Sequence, residues 1–299
     1  MRTPIRRGSR AATPIAAGAL AVGLLAGACA AGGASAQDDD RVHVVVSSYP
    51  LQYVAERVGG ARVDVVNLTP PSSDPHGLEL TVRDAADLAA ADLVVHLPGG
   101  FQPAADAAVA DVEPGRLLDA TDAADLRGED PHFWLDPTRL AAVGDAVADR
   151  LAAIDPDAAP GYRADAAVLA ADLVALDERY AAALAPCAGA TLVTSHQAFG
   201  YLAERYGLHQ VGVVGVDPEV EPSPARLREV AELVEQHGVR TLYFERAAGP
   251  GVTSWLAERA GVGTAVIDPV ESHGEDDPDY LEAMGANLDA LVGGLACQG

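Results

Sequence analysis

Short runs of β-branched and aliphatic residues alternate with helical stretches rich in Ala, Leu and Glu along most of this 299-residue chain. Each run is bounded by turn residues and is short enough to be a buried strand, and the stretches between runs are long enough for helical crossovers. The predicted strands are residues 42–47, 63–68, 93–97, 191–194, 210–215, 241–244 and 264–267. They fall into two sets, so the alternation predicts two α/β lobes, each with a parallel sheet.

The segment between the two sets of strands predicts one long helix. It contains no Pro or Gly after Gly161, and its apolar residues recur every three or four positions. A helix of about 25 residues measures roughly 35–40 Å, enough to join both lobes and to limit hinge motion between them. The predicted domains are therefore an N-terminal lobe at 42–156, a linking helix at 157–185 and a C-terminal lobe at 186–299, with a cleft between the lobes.

Residues 1–36 have the order of an export signal, because arginines precede an apolar run at about 15–28. Two cleavage positions fit this segment. Residues 25–29 resemble a lipobox, the favoured site, which would be cut before Cys29 and leave a lipid anchor there. The small residues before Gln37 would instead allow a cut after Ala36. We predict an exported protein that is either a membrane-anchored lipoprotein or located in the periplasm or another extracytoplasmic space.

The charge balance excludes several partners and chemistries. The chain has 44 acidic and 20 basic residues, a formal net charge of −24, and all the basic residues are arginine. Nucleic acid is excluded as a partner because its phosphates require a basic surface. A chain without lysine forms neither a Schiff base nor a P-loop, so we expect no P-loop ATPase activity.

Cysteine usage agrees with export. Once Cys29 is assigned to the lipid anchor, Cys187 and Cys297 remain, and an oxidising compartment favours a disulfide between them. On the chain-entropy model, a bridge that closes a loop of about 110 residues contributes roughly 4–5 kcal/mol. Two buried free thiols are the alternative, and the sequence favours the bridge.

Three of the eight histidines lie in turn-rich segments, namely His76, His132 and His196. His76 and His196 each follow a predicted strand, and loops after parallel strands face a crevice. Intervals of 56 and 64 residues separate the three, which excludes a zinc finger and the HExxH helix of metalloproteases. Only the fold can bring them into one site, and their spacing leaves open whether it does.

Longer motifs surround these histidines. The chain contains Asp-Pro-His at 74–76, Asp-Pro-His-Phe-Trp-Leu-Asp-Pro at 130–137, Ser-His-Gln-Ala-Phe-Gly-Tyr at 195–201 and Phe-Glu at 244–245. In this order the motifs resemble those of the zinc and manganese solute-binding proteins of ABC transporters, the ZnuA/TroA-like family. The resemblance runs from about residue 42 to the C-terminus. It implies two lobes bridged by a rigid helix, with one metal ion in the cleft bound by His76, His132, His196 and an acid.

The resemblance places the acidic ligand near the last strand. We expect it to be Asp268, with Glu245 or water as alternatives, and Glu245 is better suited to orient the cleft. Three imidazoles and one carboxylate suit tetrahedral Zn²⁺, whereas Mn²⁺ prefers more oxygen ligands. Manganese members of the family typically have a carboxylate where this chain has His196. Zn²⁺ is therefore the expected ligand and Mn²⁺ the alternative, and affinity should fall as imidazoles protonate between about pH 6.5 and 5.

The implied function is capture of Zn²⁺ by an exported monomeric receptor and its delivery to an ABC permease with a separate ATPase subunit. A zinc hydrolase is the alternative from another class, because three histidines and an open position also form a catalytic arrangement. A fourth protein ligand would close that position, and the sequence has no HExxH helix and no recognisable nucleophile motif. We therefore expect no enzyme activity.

The chain departs from the family pattern at two places. Many zinc members have a His-rich loop in the first lobe, but residues 119–130 contain five acids and no histidine. In this respect the chain resembles the AztC-like members, which the family links to separate zinc-delivery partner proteins. The second departure is His273, which lies among four acids at 271–277. A mobile acidic loop and a second, weaker ion site are the two interpretations of that segment.

Overall fold

The computed structural model describes residues 41–245, 251–295 and Cys297. The predicted export signal at 1–36, with its two cleavage positions and the anchor at Cys29, lies outside these residues. The described residues all belong to one unit that spans 40–299. None of the helices within them is both long and apolar enough to span a membrane.

The first lobe contains a parallel sheet with helices on both faces. Its strands are β1 Val42–Val46, β2 Val63–Asn67, β3 Leu93–His96 and β4 Leu117–Asp119. Its helices are α1 Tyr49–Gly59, α2 Val82–Ala90, α3 Pro103–Val109 and α4 Pro137–Ile154. The strand order is β2-β1-β3-β4, and Val44 pairs with Val65 on one side and Leu93 on the other. Strand β4 was not predicted, because three residues ending in Asp carry too short a pattern.

The second lobe repeats this arrangement. Its strands are β5 Thr191–Thr194, β6 His209–Gly212, β7 Thr241–Glu245 and β8 Gly263–Ile267. Its helices are α6 Gly200–Tyr206, α7 Pro224–Gln236, α8 Gly251–Ala260 and α9 Tyr280–Gly294. The strand order is β6-β5-β7-β8, again all parallel. The prediction of two parallel-sheet α/β lobes is therefore confirmed.

The long helix between the lobes is α5, Ala159–Leu184, whose 26 residues span about 39 Å at 1.5 Å per residue. Its buried side chains are Tyr162, Ala166, Leu169, Leu173, Leu176, Tyr180 and Leu184. This stripe packs against α1 and α4 of the first lobe and α9 of the second. Tyr180 also donates a hydrogen bond of 2.6 Å to the Met284 carbonyl in α9. The predicted linking helix is thus confirmed, whereas the exact domain limits stay a prediction.

The main hydrophobic core runs from one lobe to the other. One cluster of buried side chains includes Val44 of β1, Leu173 of α5 and Leu288 of α9. Smaller clusters cover the opposite face of each sheet, one around Val45 and the other around Val193. Because adjacent residues of a strand point to opposite faces, Val44 and Val45 belong to different clusters. The shared cluster means that the lobes have no independent core on their facing sides.

The Cys187–Cys297 disulfide is present, with Cα atoms 4.1 Å apart and 110 residues between the two positions. Cys187 is buried at the end of a short 3-10 helix that follows α5. The bridge joins this end of the linking helix to the segment after α9. The disulfide predicted from cysteine usage is confirmed.

Candidate metal centre

Four side chains meet between the lobes: His76, His132, His196 and Glu271. Each contributes one ligand atom, and these four atoms lie within 4.8 Å of one another. His132 Nε2 is 3.5 Å from His196 Nε2 and 3.3 Å from Glu271 Oε2. His76 Nε2 is 3.6 Å from the same Glu271 oxygen. The fold therefore brings together the three histidines that the sequence motifs singled out.

The four side chains come from loops in both lobes. His76 follows β2, His196 follows β5 and Glu271 follows β8. His132 immediately precedes a short 3-10 helix, Phe133–Leu135, between β4 and α4. Since the carboxyl ends of parallel strands line the crevice of an α/β sheet, two such sheets facing each other concentrate loop residues in the cleft.

The cluster is almost closed to solvent. His132, His196 and Glu271 are 0%, 1% and 7% exposed, and the His76 side chain is 9% exposed. Buried polar atoms normally have hydrogen-bond partners, yet His76 Nε2 and Glu271 Oε2 have none. A cation between the four ligand atoms would accept electron pairs from all of them. The residues present therefore fit a metal ion.

The His132 imidazole is oriented by Asp130, two residues earlier. Asp130 Oδ1 accepts hydrogen bonds from the backbone N–H of His132 at 3.0 Å and from its ring Nδ1 at 2.8 Å. A carboxylate only accepts, so Nδ1 carries the proton and Nε2 faces the cluster. A carboxylate on the outer nitrogen of a metal-binding histidine fixes the tautomer and raises the basicity of the inner nitrogen.

The His196 imidazole is also hydrogen-bonded to a carboxylate, but this carboxylate lies far away in the sequence, at the end of a strand. Its Nδ1 is 2.7 Å from Oε1 of Glu245, the last residue of β7. The Ser195 hydroxyl donates a short hydrogen bond to the same oxygen. Glu245 is 4% exposed and lies outside the group of four ligand atoms. The role in orienting the cleft that the sequence favours for Glu245 stays a prediction.

Charges inside the cluster shift two pKa values in opposite directions. Burial lowers the pKa of His132, but the neighbouring Asp130 and Glu271 outweigh burial and raise this pKa to about 9. Burial raises the pKa of the Glu271 carboxyl, but the His132 and His76 imidazoles outweigh it and hold this pKa well below its ordinary value. Without metal, the two groups therefore form an ion pair of imidazolium and carboxylate.

His76 has different surroundings from the other two imidazoles. Its backbone N–H donates to Asp74 Oδ1 at 2.8 Å, which fixes the turn that carries it. The Phe101 ring is perpendicular to the His76 ring, at 89°, with ring centroids 4.8 Å apart. Among the described residues we find no carboxylate on its outer nitrogen. His76 also lines a cavity of about 400 Å³, whose wall includes the acidic Glu129, Asp217 and Glu219.

The acid in the cluster is Glu271, not Asp268, which corrects the expected position of the carboxylate. Asp268 Oδ1 accepts a hydrogen bond of 2.7 Å from the Val270 N–H, and the Asp268 backbone is bonded on both sides to the Asn287 side chain. Val270 has a φ of 54°, which is uncommon for a β-branched residue. The Asp268–Val270 hydrogen bond and the positive φ of Val270 shape the segment between β8 and Glu271.

Sequence reasoning missed Glu271 because the strand pattern locates the end of β8 but not the conformation of the segment that follows it. The residue was visible only as one of four acids between 271 and 277. His273, in the same segment, stacks on Tyr49 with ring centroids 4.4 Å apart and planes 8° apart. It is partly buried by this contact and is not part of the metal cluster. The two interpretations of residues 271–277, a mobile acidic loop and a second, weaker ion site, stay predictions.

Two α/β lobes joined by one long helix, with three imidazoles and a carboxylate buried between them, define a two-lobed metal-binding protein. The chain belongs to the family described as ZnuA, zinc-uptake complex component A, periplasmic, whose model matches residues 44–294. The family indicated by the motifs is thereby confirmed, and the AztC-like subtype stays a prediction.

The names of several similar proteins refer to zinc. The zinc-binding lipoprotein AdcA of Streptococcus pneumoniae serotype 4 (strain ATCC BAA-334 / TIGR4) is 31% identical over 280 residues, which cover 85% of this chain and 56% of that protein. The chain thus spans about half the length of the AdcA relatives it matches. The high-affinity zinc uptake system protein ZnuA of Bacillus subtilis (strain 168) is 29% identical over 288 residues, covering 88% of this chain and 90% of that protein.

A solved structure has the same fold. The Zn(II)-bound ZnuA-like domain of Streptococcus pneumoniae AdcA matches with a TM-score of 0.75 and 30% sequence identity, over 87% of this chain and 100% of that chain.

Proposed function

We propose that this chain is an extracytoplasmic receptor that captures Zn²⁺ through His76, His132, His196 and Glu271 and delivers it to a membrane permease. The observation that carries the proposal is the buried group of four ligand atoms contributed by both lobes. Membership of the ZnuA family and the zinc-binding names of its relatives support both the metal and the role.

The donor atoms favour zinc over manganese. Three nitrogens and one oxygen form a small, borderline-soft set, which suits tetrahedral Zn²⁺ with Zn–N distances of about 2.0–2.1 Å. Mn²⁺ prefers a larger, oxygen-rich shell. The carboxylates of Asp130 and Glu245 already accept hydrogen bonds from His132 and His196, so they are engaged outside the shell.

The arrangement supports binding rather than catalysis. A catalytic zinc site keeps one position open for water, usually with three protein ligands. Glu271 would occupy the fourth position here, and burial of all four groups restricts the approach of a substrate. We therefore assign no enzymatic reaction to the site.

The partners and location of the protein are part of the same proposal. The family implies a permease with a separate ATPase subunit, because a zinc-uptake component hands its metal to a transport complex. Lipidation at Cys29 would hold the receptor at the membrane, whereas cleavage after Ala36 would release it. A separate zinc-delivery partner and a monomeric state complete the proposal.

The test of capture is a competition titration of the metal-stripped, processed protein with a zinc-sensitive chromophore. We expect one tight zinc equivalent that excess Mn²⁺ does not displace and that His196→Ala abolishes. His237→Ala, at the exposed end of α7, is the matched control and should bind zinc like the wild type. Absence of a tight zinc equivalent, or its displacement by Mn²⁺, would contradict the proposal.

Delivery requires a separate test in the source cells. Cells without the gene should grow poorly in zinc-depleted medium and should recover with the wild-type gene but not with His196→Ala. Equal recovery with both genes would show that uptake does not use this site.

A further inference from the structure

Trp134 forms a hydrogen bond from one lobe to the other beside the metal site. It lies two residues after His132, is fully buried, and donates from its indole Nε1 to the Pro269 carbonyl at 2.7 Å. Pro269 is two residues before Glu271, in the segment that follows β8. The bond therefore joins the segment that carries a first-lobe ligand to the segment that carries the second-lobe carboxylate.

Helix α9 completes a ring of hydrogen bonds around this contact. Tyr280, its first residue, donates from its hydroxyl to the Trp134 carbonyl at 2.5 Å. Two turns further along, Asn287 accepts from the Asp268 N–H at 2.8 Å and donates to the Asp268 carbonyl at 2.6 Å. Asp268 precedes Pro269, so the path returns to Trp134. Tyr280 is fully buried and Asn287 is 3% exposed.

We infer that Trp134 is a positioning residue that sets the separation between His132 and Glu271, and so the affinity and dissociation rate of the bound metal. The inference rests on the proposed function, because it concerns the same four ligands. Trp134, Pro269 and Tyr280 together are called the interlobe clamp below.

The geometry explains why such a clamp matters. Zinc ligands have to lie within a few tenths of an ångström of about 2.0–2.2 Å from the metal, so a small change in interlobe separation costs affinity. Glu271 follows Val270, whose positive φ is held by neighbouring bonds rather than by its own preference. Removing the indole N–H would take away a buried partner of the Pro269 carbonyl and leave that turn more free to relax.

The indole ring also packs against side chains of the site. The effect of its hydrogen bond on metal binding therefore has to be separated from the effect of its packing. The Trp134 ring centroid is 5.2 Å from that of His132 and 5.8 Å from that of Phe101. Trp134→Phe retains an aromatic ring and removes the N–H donor. Tyr280→Phe removes the second bond of the clamp and retains the indole N–H.

The experiment measures zinc dissociation constants and stopped-flow dissociation rates for wild type, Trp134→Phe, Glu271→Gln and the double variant. Trp134→Phe should weaken zinc binding by about 10-fold or more, as for other outer partners of metal ligands, mainly through faster dissociation. The d–d absorption bands of bound Co²⁺ should shift as well. In the Glu271→Gln background, Trp134→Phe should have little further effect, because the carboxylate that it positions is already gone.

The control is Trp255→Phe, since Trp255 of α8 is 49% exposed and does not belong to the interlobe clamp. This variant should bind zinc like the wild type. If Trp134→Phe fails to fold, as judged by circular dichroism of the metal-free protein, Tyr280→Phe carries the test. It should weaken zinc binding in the wild-type background and not in the Glu271→Gln background.

Two results would overturn the inference alone: a Trp134→Phe protein that binds zinc and Co²⁺ like the wild type, or a loss of affinity that is equally large with and without Glu271. The second result would assign Trp134 a purely structural role. If the wild type itself binds no zinc tightly, the proposed function fails and the inference falls with it.

Discussion

The two lobes orient their metal-facing imidazoles in different ways. In the first lobe, Asp130 is two residues from His132 and holds both its backbone and its ring. In the second lobe, Glu245 is 49 residues from His196 and reaches it only because β7 lies beside β5. The first pair is a local turn and the second is a product of the sheet. One site thus combines a ligand prepared by its own sequence motif with a ligand prepared by the tertiary fold.

The largest effect is expected where the two halves of the site meet, at Glu271. The substitution Glu271→Gln removes the only carboxylate among the four proposed ligands. We expect zinc affinity to fall by at least about 100-fold, more than after loss of a carboxylate that is hydrogen-bonded to a ligand histidine. Asp268→Asn, three residues earlier, keeps an oxygen that can accept from the Val270 N–H and should change affinity no more than about 3-fold. Competition titration measures both. Equal losses, or a larger loss in Asp268→Asn, would restore Asp268 as the ligand.

Asp130 and Glu245, the carboxylates that orient His132 and His196, test the comparison between the two lobes directly. We expect Glu245→Gln and Asp130→Asn each to lower zinc affinity by about 10–100-fold, the range found for outer partners of metal ligands. The loss should be larger for Glu245→Gln, because its side chain is 6% exposed against 22% for Asp130 and an unpaired buried group costs more. The same titration decides. A larger loss in Asp130→Asn would show that the local turn, and not the sheet, governs the geometry.

The number of protons released on zinc binding further distinguishes the Asp130–His132 pair from the Glu245–His196 pair. His132 has a pKa of about 9 without metal, so its Nε2 is protonated below that pH and must lose its proton to bind zinc. We expect release of about one proton per zinc at pH 7.5, and affinity that rises up to about tenfold per pH unit until pH 9. This window lies above the range of pH 6.5 to 5 expected from ordinary imidazoles.

Calorimetry in two buffers of different ionisation enthalpy measures this proton release. Asp130→Asn should reduce it, because Asp130 helps to raise the pKa of His132. Glu245→Gln should leave the contribution of His132 unchanged. Zinc binding without proton release at pH 7.5 would contradict the charge state assigned to His132.

The disulfide should have the smallest effect on the site, although it lies in the second lobe. Replacing Cys297→Ser should lower the free energy of unfolding by about 2–5 kcal/mol, because the unfolded chain regains the freedom of a long loop. Zinc affinity should stay within about twofold, since neither cysteine belongs to the cluster of four ligand atoms. Thermal unfolding and titration check the two parts. A large loss of affinity would mean that the second lobe needs the bridge to hold Glu245 in place.

The parts of the structure that could be predicted are those encoded over a few residues. β-branched runs mark the strands, the absence of Gly and Pro after Gly161 marks α5, and the turn motifs mark the three histidines. The Asp130–His132 contact belongs to the same class, because an Asp two residues before a histidine can form a side-chain turn with it. Such features depend on local conformational preference.

The parts that could not be predicted depend on contacts between distant segments. Glu271 enters the site directly after Val270, whose φ is positive, and Trp134 meets Pro269 across 135 residues. Periodicity carries no information about either, since both are set by how the lobes pack on α5 and α9. The family resemblance supplied the presence of an acidic ligand, but only the packed structure distinguishes Glu271 from Asp268.

Helix α5 has a consequence for how the state of the protein can be recognised. A continuous 26-residue helix that packs on both lobes is stiff, and it keeps the distance between their outer faces nearly constant. Residues 40–299 should then have almost the same radius of gyration in the loaded and empty forms, and small-angle scattering of this unit should barely distinguish them. A membrane partner would then have to recognise bound zinc from the chemistry and shape of the surface at the cleft mouth.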